Sequence, residues 1–487
     1  MADTNLGLTS QGPLPHTKPE STNGAILTVI TLCLGGLVAS LMQTLVIPIQ
    51  PELPTLLDTS RSNASWVVTA TLLASAVAMP IAGRLGDIFG KQRVLMGCSV
   101  LLVIGSAICG LSNSLLPMIT GRAIQGFAMG FIPVGISLMR EVTPPKITSM
   151  AIAAMSATLG VGGAIGLPLA AWIAQSWNWH GLFWMSCALA VIVLFLTAFA
   201  VPHVADAMGG HLDIIGALGL GAGLCASLIA VSKGNDWGWS APRTLILLAA
   251  GIVILIGWGV YQLRITEPLV DLRTTARPAV LLTNIAAIAV GFGMMAATVV
   301  VPTLMEMPKA TGVGLGRDVL TAGLWMAPSG LMMLACSPVS GMLINKIGAK
   351  YTLAIGAAVL GIGYFASLFL MNSPWQVMIA TIIIFSGVGI GYAAMPTLIM
   401  GSVPITESGA AVGLNGLMRA IGTTVSSAVM TVLLTTATVT MAGQEIPSHN
   451  SFRLCFLVGT VAAFVGVVIT LLIPTRRTQP PLEHVAP

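Results

Sequence analysis

Gly83-Arg84-Leu85-Gly86-Asp87-Ile88-Phe89-Gly90-Lys91-Gln92-Arg93 follows one long apolar run, and Gly341-Met342-Leu343-Ile344-Asn345-Lys346-Ile347-Gly348-Ala349-Lys350 follows another much later in the chain. Each has a glycine, a polar residue four positions on, a second glycine three beyond that, and then basic side chains. Pro133 and Pro396 repeat at a similar offset. A chain that repeats its own loop in this way reads as a duplicated bundle, two six-helix halves with further helices inserted between them. Two such halves imply a substrate path at their interface, opened alternately to either side by rocking one half against the other.

Outward from these loops, apolar runs fall near 25–50, 64–84, 94–112, 115–138, 150–174, 181–202, 212–232, 243–263, 279–305, 318–344, 351–371, 375–400, 409–439 and 452–473. Each is close to the roughly 20 residues that cross a bilayer as a helix. Continuous runs without two-residue alternation favour helices over barrel strands. Composition agrees: of 487 residues 55% are hydrophobic and 8% charged, against roughly 25% charged in soluble domains. A soluble enzyme, a secreted disulfide scaffold and a disordered chain are excluded. The expected fold is an all-α membrane protein of fourteen transmembrane helices. Its parts are a tail (1–24), a first six-helix bundle (25–202), two inserted helices with linkers (203–278), a second six-helix bundle (279–473) and a second tail (474–487). The first apolar run is too long for a cleaved signal core and reads as a retained span.

With the amino terminus inside, one set of connections collects Lys18, Arg84, Lys91, Arg93, Arg140, Lys146, Arg264, Arg273, Arg277, Lys346, Lys350, Arg476 and Arg477, and the other holds fewer basic residues. That asymmetry places both termini in the cytoplasm. Trp66, Trp172, Trp177, Trp179, Trp237, Trp239 and Trp375 fall near the opposite ends, where an amphipathic indole sits well at headgroup level. The seven cysteines show neither CxxC pairing nor metal-ligand spacing, so no metal and no cofactor is expected. The formal charge of +5 is spread thinly and gives nucleic acid nothing to bind.

Glycines at Gly83 and Gly90 let helix ends approach closely, while Asp87 can face a neighbouring helix amino terminus or the basic Arg93. Gly83-x-Leu-x-Asp87-x-x-Gly90-Lys91-x-Arg93 resembles the signature loop of the major facilitator superfamily, and Gly121-Arg122-Ala-Ile-Gln125-Gly126 resembles its arginine-containing motif. With fourteen spans, residues 25–473 resemble the fourteen-helix drug:proton antiporter branch of that superfamily. The resemblance implies a major facilitator fold and makes Asp87, with Gly83, Gly90, Lys91 and Arg93, a latch on the outward-open arrangement. An ordinary helix cap in a basic loop is the plainer alternative.

Arg122 lies about 10 Å along its span, too deep to reach the outer surface easily. The resemblance implies a role in proton coupling or substrate gating, with Gln125 and Gly126 shaping the adjacent surface. The alternative is a structural arginine bonded to free helix carbonyls. Asn415-Gly-Leu-Met-Arg419 places a second arginine about ten residues into its span, either facing the central path or packing against Asn415. Gly162, Gly166 and Pro168 resemble the family's antiporter motif, with the proline one place late, and close packing alone explains the glycines equally well. Many relatives carry an acid at the position of Met42. Here the nearest polar residue is Gln43, which can hydrogen-bond but not titrate.

No Asp or Glu occupies the middle of an expected span, so Glu306, at an external helix end, is the candidate proton acceptor, with a solvated helix-end carboxylate as the alternative. Two buried cations without a mid-membrane carboxylate suit neutral or anionic cargo. No motif for an intramembrane enzyme or a nucleotide-driven pump is present. The reading is a monomeric secondary transporter of the inner (plasma) membrane that exports small amphipathic molecules by proton antiport. A proton-independent, metabolite or lipid exporter is the alternative.

Overall fold

The computed structural model describes residues 22–50, 52–203, 209–441 and 444–474. The expected tails, with Lys18, Arg476 and Arg477, lie outside the described residues except for 22–24 and 474. Among the described residues, fourteen helical segments are long and apolar enough to span a membrane. They are α1 (Gly24–Thr44), α2 (Ser62–Phe89), α3 (Lys91–Leu111), α4 (Leu115–Val142), α5 (Pro145–Ala174), α6 (His180–Ala200), α7 (Ile214–Trp237), α8 (Pro242–Gln262), α9 (Pro278–Glu306), α10 (Val319–Ile347), α11 (Ala349–Ser367), α12 (Pro374–Met400), α13 (Ile405–Thr436) and α14 (His449–Leu471).

The ends of these helices follow local chemistry. The first span, expected to reach residue 50, stops at Thr44, because Pro48 supplies no N–H and restrains Ile47 before it. The stretch expected as a loop after the second span is instead the last helical turns of α2, so Asp87 sits on a helix. Only Gly90, at φ +94°, breaks the chain before α3 begins at Lys91, and Gly348, at φ +86°, does the same between α10 and α11. That backbone region is open to glycine at little cost, so each pair of helices turns on one residue. The thirteenth span, expected to run to 439, ends at Thr436, where Thr438, Val439 and Thr440 favour extended backbone. A short antiparallel hairpin of β1 (Thr438–Met441) and β2 (Gln444–Pro447) carries the chain to α14 and adds two strands to an otherwise helical fold.

Buried side chains form three apolar groups. One belongs mainly to α1–α6, including Leu32, Met42, Val134 and Phe183, and takes in Met400, Val403 and Val412 from the second set of helices. Another belongs to α9–α14 and takes in Ala153 and Ala157 of α5. The third joins Leu73 and Val77 of α2, Leu220, Leu224 and Leu228 of α7, Leu269 and Val270 of the linker between α8 and α9, and Leu414 and Leu417 of α13. Helix α7 therefore lies against α2 and α13 together, and α8 packs outside it with 11% of its spanning window buried.

The first and last six helices meet along two seams, α2 with α13 and α5 with α10. Small residues permit both. A Cβ on Gly83 would strike the Gly409 carbonyl, one on Gly413 would strike Met79, and one on Gly341 would come 3.1 Å from the Met150 Cα. In lipid, where no hydrophobic drive presses helices together, such close backbone contact is a main source of attraction.

Candidate functional site

Asp87 ends α2 against the start of the regular helix of α13. Its two carboxylate oxygens accept the backbone N–H groups of Gly409 (3.1 Å) and Ala410 (2.9 Å). These are among the free donors at a helix amino terminus, where the macrodipole favours an anion. Lys91, rather than the expected Arg93, lies beside Asp87, with its Nζ 3.6 Å from Oδ1 and 2.5 Å from Oε1 of Glu141. Arg93 is exposed and makes no ion pair among the described residues, because the turn at Gly90 starts a new helix whose first face points Lys91 inward and Arg93 out.

Arg140, in the last turn of α4, was legible only as a basic loop residue. Its Nη1 donates 2.7 Å to the carbonyl of Met400, the final residue of α12. One carboxylate thus caps the positive end of α13 and one guanidinium the negative end of α12, both supplied by the first set of helices. Ser137 of α4 with Ser408 of α13 (2.7 Å), and across the α5–α10 seam Ser149 with Asn345 (3.0 Å) and Ser337 with the Ala153 carbonyl (3.3 Å), continue the closure. All of these bonds lie toward the face that carries the Gly90 and Gly348 turns. Toward the opposite face the α5–α10 seam continues as apolar contact of Pro168 with Gly323.

Arg122 is 1% exposed. Its Nε donates to the Val67 carbonyl (3.2 Å), and its Nη1 to the carbonyl of Met42 (2.7 Å) and to Oε1 of Gln125 (2.9 Å). The Met42 carbonyl is free because α1 ends two residues later. Gln125 in turn donates to Ser106 (2.8 Å), fixing its amide orientation. This is the bonding that the structural alternative describes, yet Nη2 has no partner among the described residues. Gly126 packs on α2, where a Cβ would meet the Thr71 carbonyl and Ala74. Gln43 is half-buried near the end of α1.

Arg419 of α13 lies with its guanidinium 5.0 Å from the centre of the Tyr392 ring on α12 and donates 3.5 Å to Oδ1 of Asn415 one turn before it. Asn415 donates to Oδ1 of Asn284 on α9 (3.0 Å). Sequence reading missed Asn284, since it stands in no motif and its role comes only from helix packing. Among the described residues no carboxylate lies within ion-pair distance of Arg122 or Arg419.

The remaining candidates are not gathered with these groups. Glu306 is the exposed last residue of α9. Gly291 of the same helix abuts the Arg419 backbone, so Glu306 stands about 22 Å further along the axis. Asp318, at the other side of the loop that follows α9, caps α10 through the Thr321 N–H (3.1 Å), which holds its carboxyl below the usual range. Gly162 and Gly166 accommodate Ser40 and Thr44 of α1, and Ser40 donates to the Leu159 carbonyl (2.8 Å), so these glycines pack α5 on α1.

Two helix sets closed at one face by capped helix ends thus enclose buried guanidinium groups among helices long and apolar enough to cross a membrane. The model of the Major Facilitator Superfamily matches residues 32–427 and, in a second match, 283–486, and the chain belongs to that family of secondary transporters. It is 28% identical over 407 residues to an uncharacterized MFS-type transporter of Mycobacterium tuberculosis, a match covering 82% of this chain and 58% of that protein, so it spans less than two thirds of that relative's length. The multidrug resistance protein Stp of the same organism is 26% identical, with 83% and 75% covered. Among solved structures, the human organic anion transporter MFSD10 (TM-score 0.62, 14% identity, 92% and 99% covered) and the proton:xylose symporter XylE (0.63, 14%, 93% and 96%) share the fold.

Proposed function

We propose that this chain exports small amphipathic molecules, neutral or anionic, by proton antiport through alternating access. In this reading the protein is a monomer of the inner (plasma) membrane with both termini in the cytoplasm. Residues 25–202 and 279–473 rock as units, and 203–278 is an insert. The face closed by Asp87 and Arg140 is then cytoplasmic, and the arrangement is closed inward with Asp87 as its latch. One observation carries the reading: Arg122 and Arg419 are buried and, among the described residues, have no carboxylate partner, and a lone charge at membrane depth persists at a cost of a few kcal/mol. Kinship with multidrug resistance proteins at about a quarter identity supports export.

Accumulation of a fluorescent drug panel in proteoliposomes, with and without an imposed pH gradient, tests it. Flux that ignores the gradient rejects antiport, and gradient-driven flux that survives Arg122→Ala rejects the central role of that residue. Proton-independent export of a metabolite or lipid is the second reading. It is favoured by the exposed position of Glu306, which leaves no coupling carboxylate beside either arginine.

A further inference from the structure

Asn284, Asn415, Arg419 and Tyr392 converge from α9, α13 and α12, and they are 3%, 0%, 5% and 2% exposed. Helix α12 packs on α9, α10, α11 and α13 and also reaches α5 of the first set, so this cluster lies on the inner side of the second set, not against lipid. The hydrogen-bond balance is lopsided. The amide oxygen of Asn284 accepts from Asn415, while its Nδ2 has no partner among the described residues. Arg419 gives one long bond to Asn415 and has the face of Tyr392 beside it, and a π-face orients a cation without accepting its forked N–H groups. The Tyr392 hydroxyl is turned away to Sδ of Met294 at 3.1 Å. Donors thus outnumber acceptors in a buried site that carries a positive charge and no counter-charge.

We infer that Asn284 and Arg419 form a binding site for an ionised acid group, chiefly the carboxylate of an amphipathic cargo molecule, and that Asn284 sets the preference for acid over uncharged or cationic cargo. One carboxylate oxygen takes the guanidinium and the other takes the Asn284 amide. Asn415 touches both and keeps them in register, and Tyr392 holds the guanidinium in plane. A small inorganic anion offers the same chemistry from solution. The inference rests on the transport reading above and narrows its substrate class.

Equilibrium binding to the full chain in detergent, read by energy transfer from tryptophan to pyrene, tests the site without any gradient. The probes are 1-pyrenebutyrate, its methyl ester and the matching pyrene butylamine, each with and without added sodium chloride. Wild type should bind the acid at least about tenfold more tightly than the ester. Asn284→Asp, which keeps the acceptor for Asn415 but adds a negative charge, should abolish that preference and bring up binding of the amine. Asn284→Thr keeps an acceptor and drops the amide donor, so it should cut acid binding more than ester binding, and a thermal melt matching the parent shows that the variant is folded. Acid binding that weakens with added chloride while ester binding does not supports a site that a free anion can share. Equal binding of acid and ester by wild type, or an acid preference unchanged in both variants, overturns the inference. If the acid preference is present but flux ignores every gradient, proton-driven export falls and the site stands.

Discussion

Asp87 and Ala410 meet across the seam of the two helix sets, with the carboxylate Oδ2 2.9 Å from the backbone nitrogen of Ala410 and Oδ1 on the neighbouring N–H of Gly409. A charged acceptor at a buried helix start contributes more than an ordinary surface bond, about 1.5–3 kcal/mol. Asp87→Asn keeps one acceptor but loses the charge and the approach of Lys91. It should shift the balance of closed and open faces by about 2 kcal/mol, roughly thirtyfold. Spin-label distances between cysteines placed at Lys146 and Lys346 would report the opening, and distances unchanged from the parent would refute this account of the gate.

Arg140→Gln removes the guanidinium from the carbonyl end of α12 and should open the same face by a similar amount. If the two capped ends close as one gate, the Asp87→Asn and Arg140→Gln effects will not add. A double-mutant cycle on the same label pair checks this, and strict additivity would mean two independent contacts.

Gly409→Val should mimic Asp87→Asn for a steric reason, since a Cβ there would fall 2.6 Å from Oδ1 of Asp87. Gly97→Ala, on α3 where nothing lies within 4 Å of the new atom, is the control and should leave flux unchanged. A Gly409→Val protein with a normally closed face would show that close approach of α2 and α13 is dispensable.

Arg122→Lys keeps the charge but cannot reach the Met42 and Val67 carbonyls and Gln125 from one compact ammonium. Loss of the forked geometry should lower flux at least about tenfold and reduce thermal stability by about 3 kcal/mol, the worth of one or two charged hydrogen bonds. Flux and melting that both match the parent would mean that charge alone, not this bonding, is what the site uses.

Asp271, in the linker that carries Leu269 and Val270 into the third apolar group, gives a pH-dependent contribution. Burial pushes its carboxyl upward, but the Thr274 hydroxyl and the backbone N–H groups of Thr274 and Arg273 outweigh that and hold it below the ordinary carboxylate range. A carboxyl depressed in the fold stabilises it above the unfolded value, near 3.9, and that contribution fades as pH falls through the lower folded value. Asp271→Asn should therefore melt earlier than the parent at neutral pH, with the gap closing in strong acid. A gap that persists there would assign the effect to shape, not charge.

Span number and order were legible because they depend on apolar length alone, a property of each segment by itself. Gly90 and Gly348 were legible as punctuation, although the residues before them proved helical. Asp87 was legible as a helix cap, but its partner helix was not. The bonds of Arg140 to Met400 and Asn284 to Asn415 were invisible for a related reason: in a bilayer, side chains that face lipid and side chains that face other helices are equally apolar, so hydropathy does not say which helices touch. The pairing of Arg419 with Tyr392 depends on the facing of two helices and was out of reach in the same way.

Helix α7 makes the flanks of the molecule unequal. Along α2 and α13 a molecule dissolved in the bilayer meets a leucine-faced helix and then α8 behind it, with Lys233 buried at the far end, donating to the Ser62 carbonyl at 3.0 Å and to Ser65, beside the Trp66 ring. Among the described residues, α7 and α8 do not extend over α5 and α10 in this way. The α7–α8 pair thereby thickens one flank of the bundle by two helices, and any sliding of α2 against α13 takes place with α7 in contact with both.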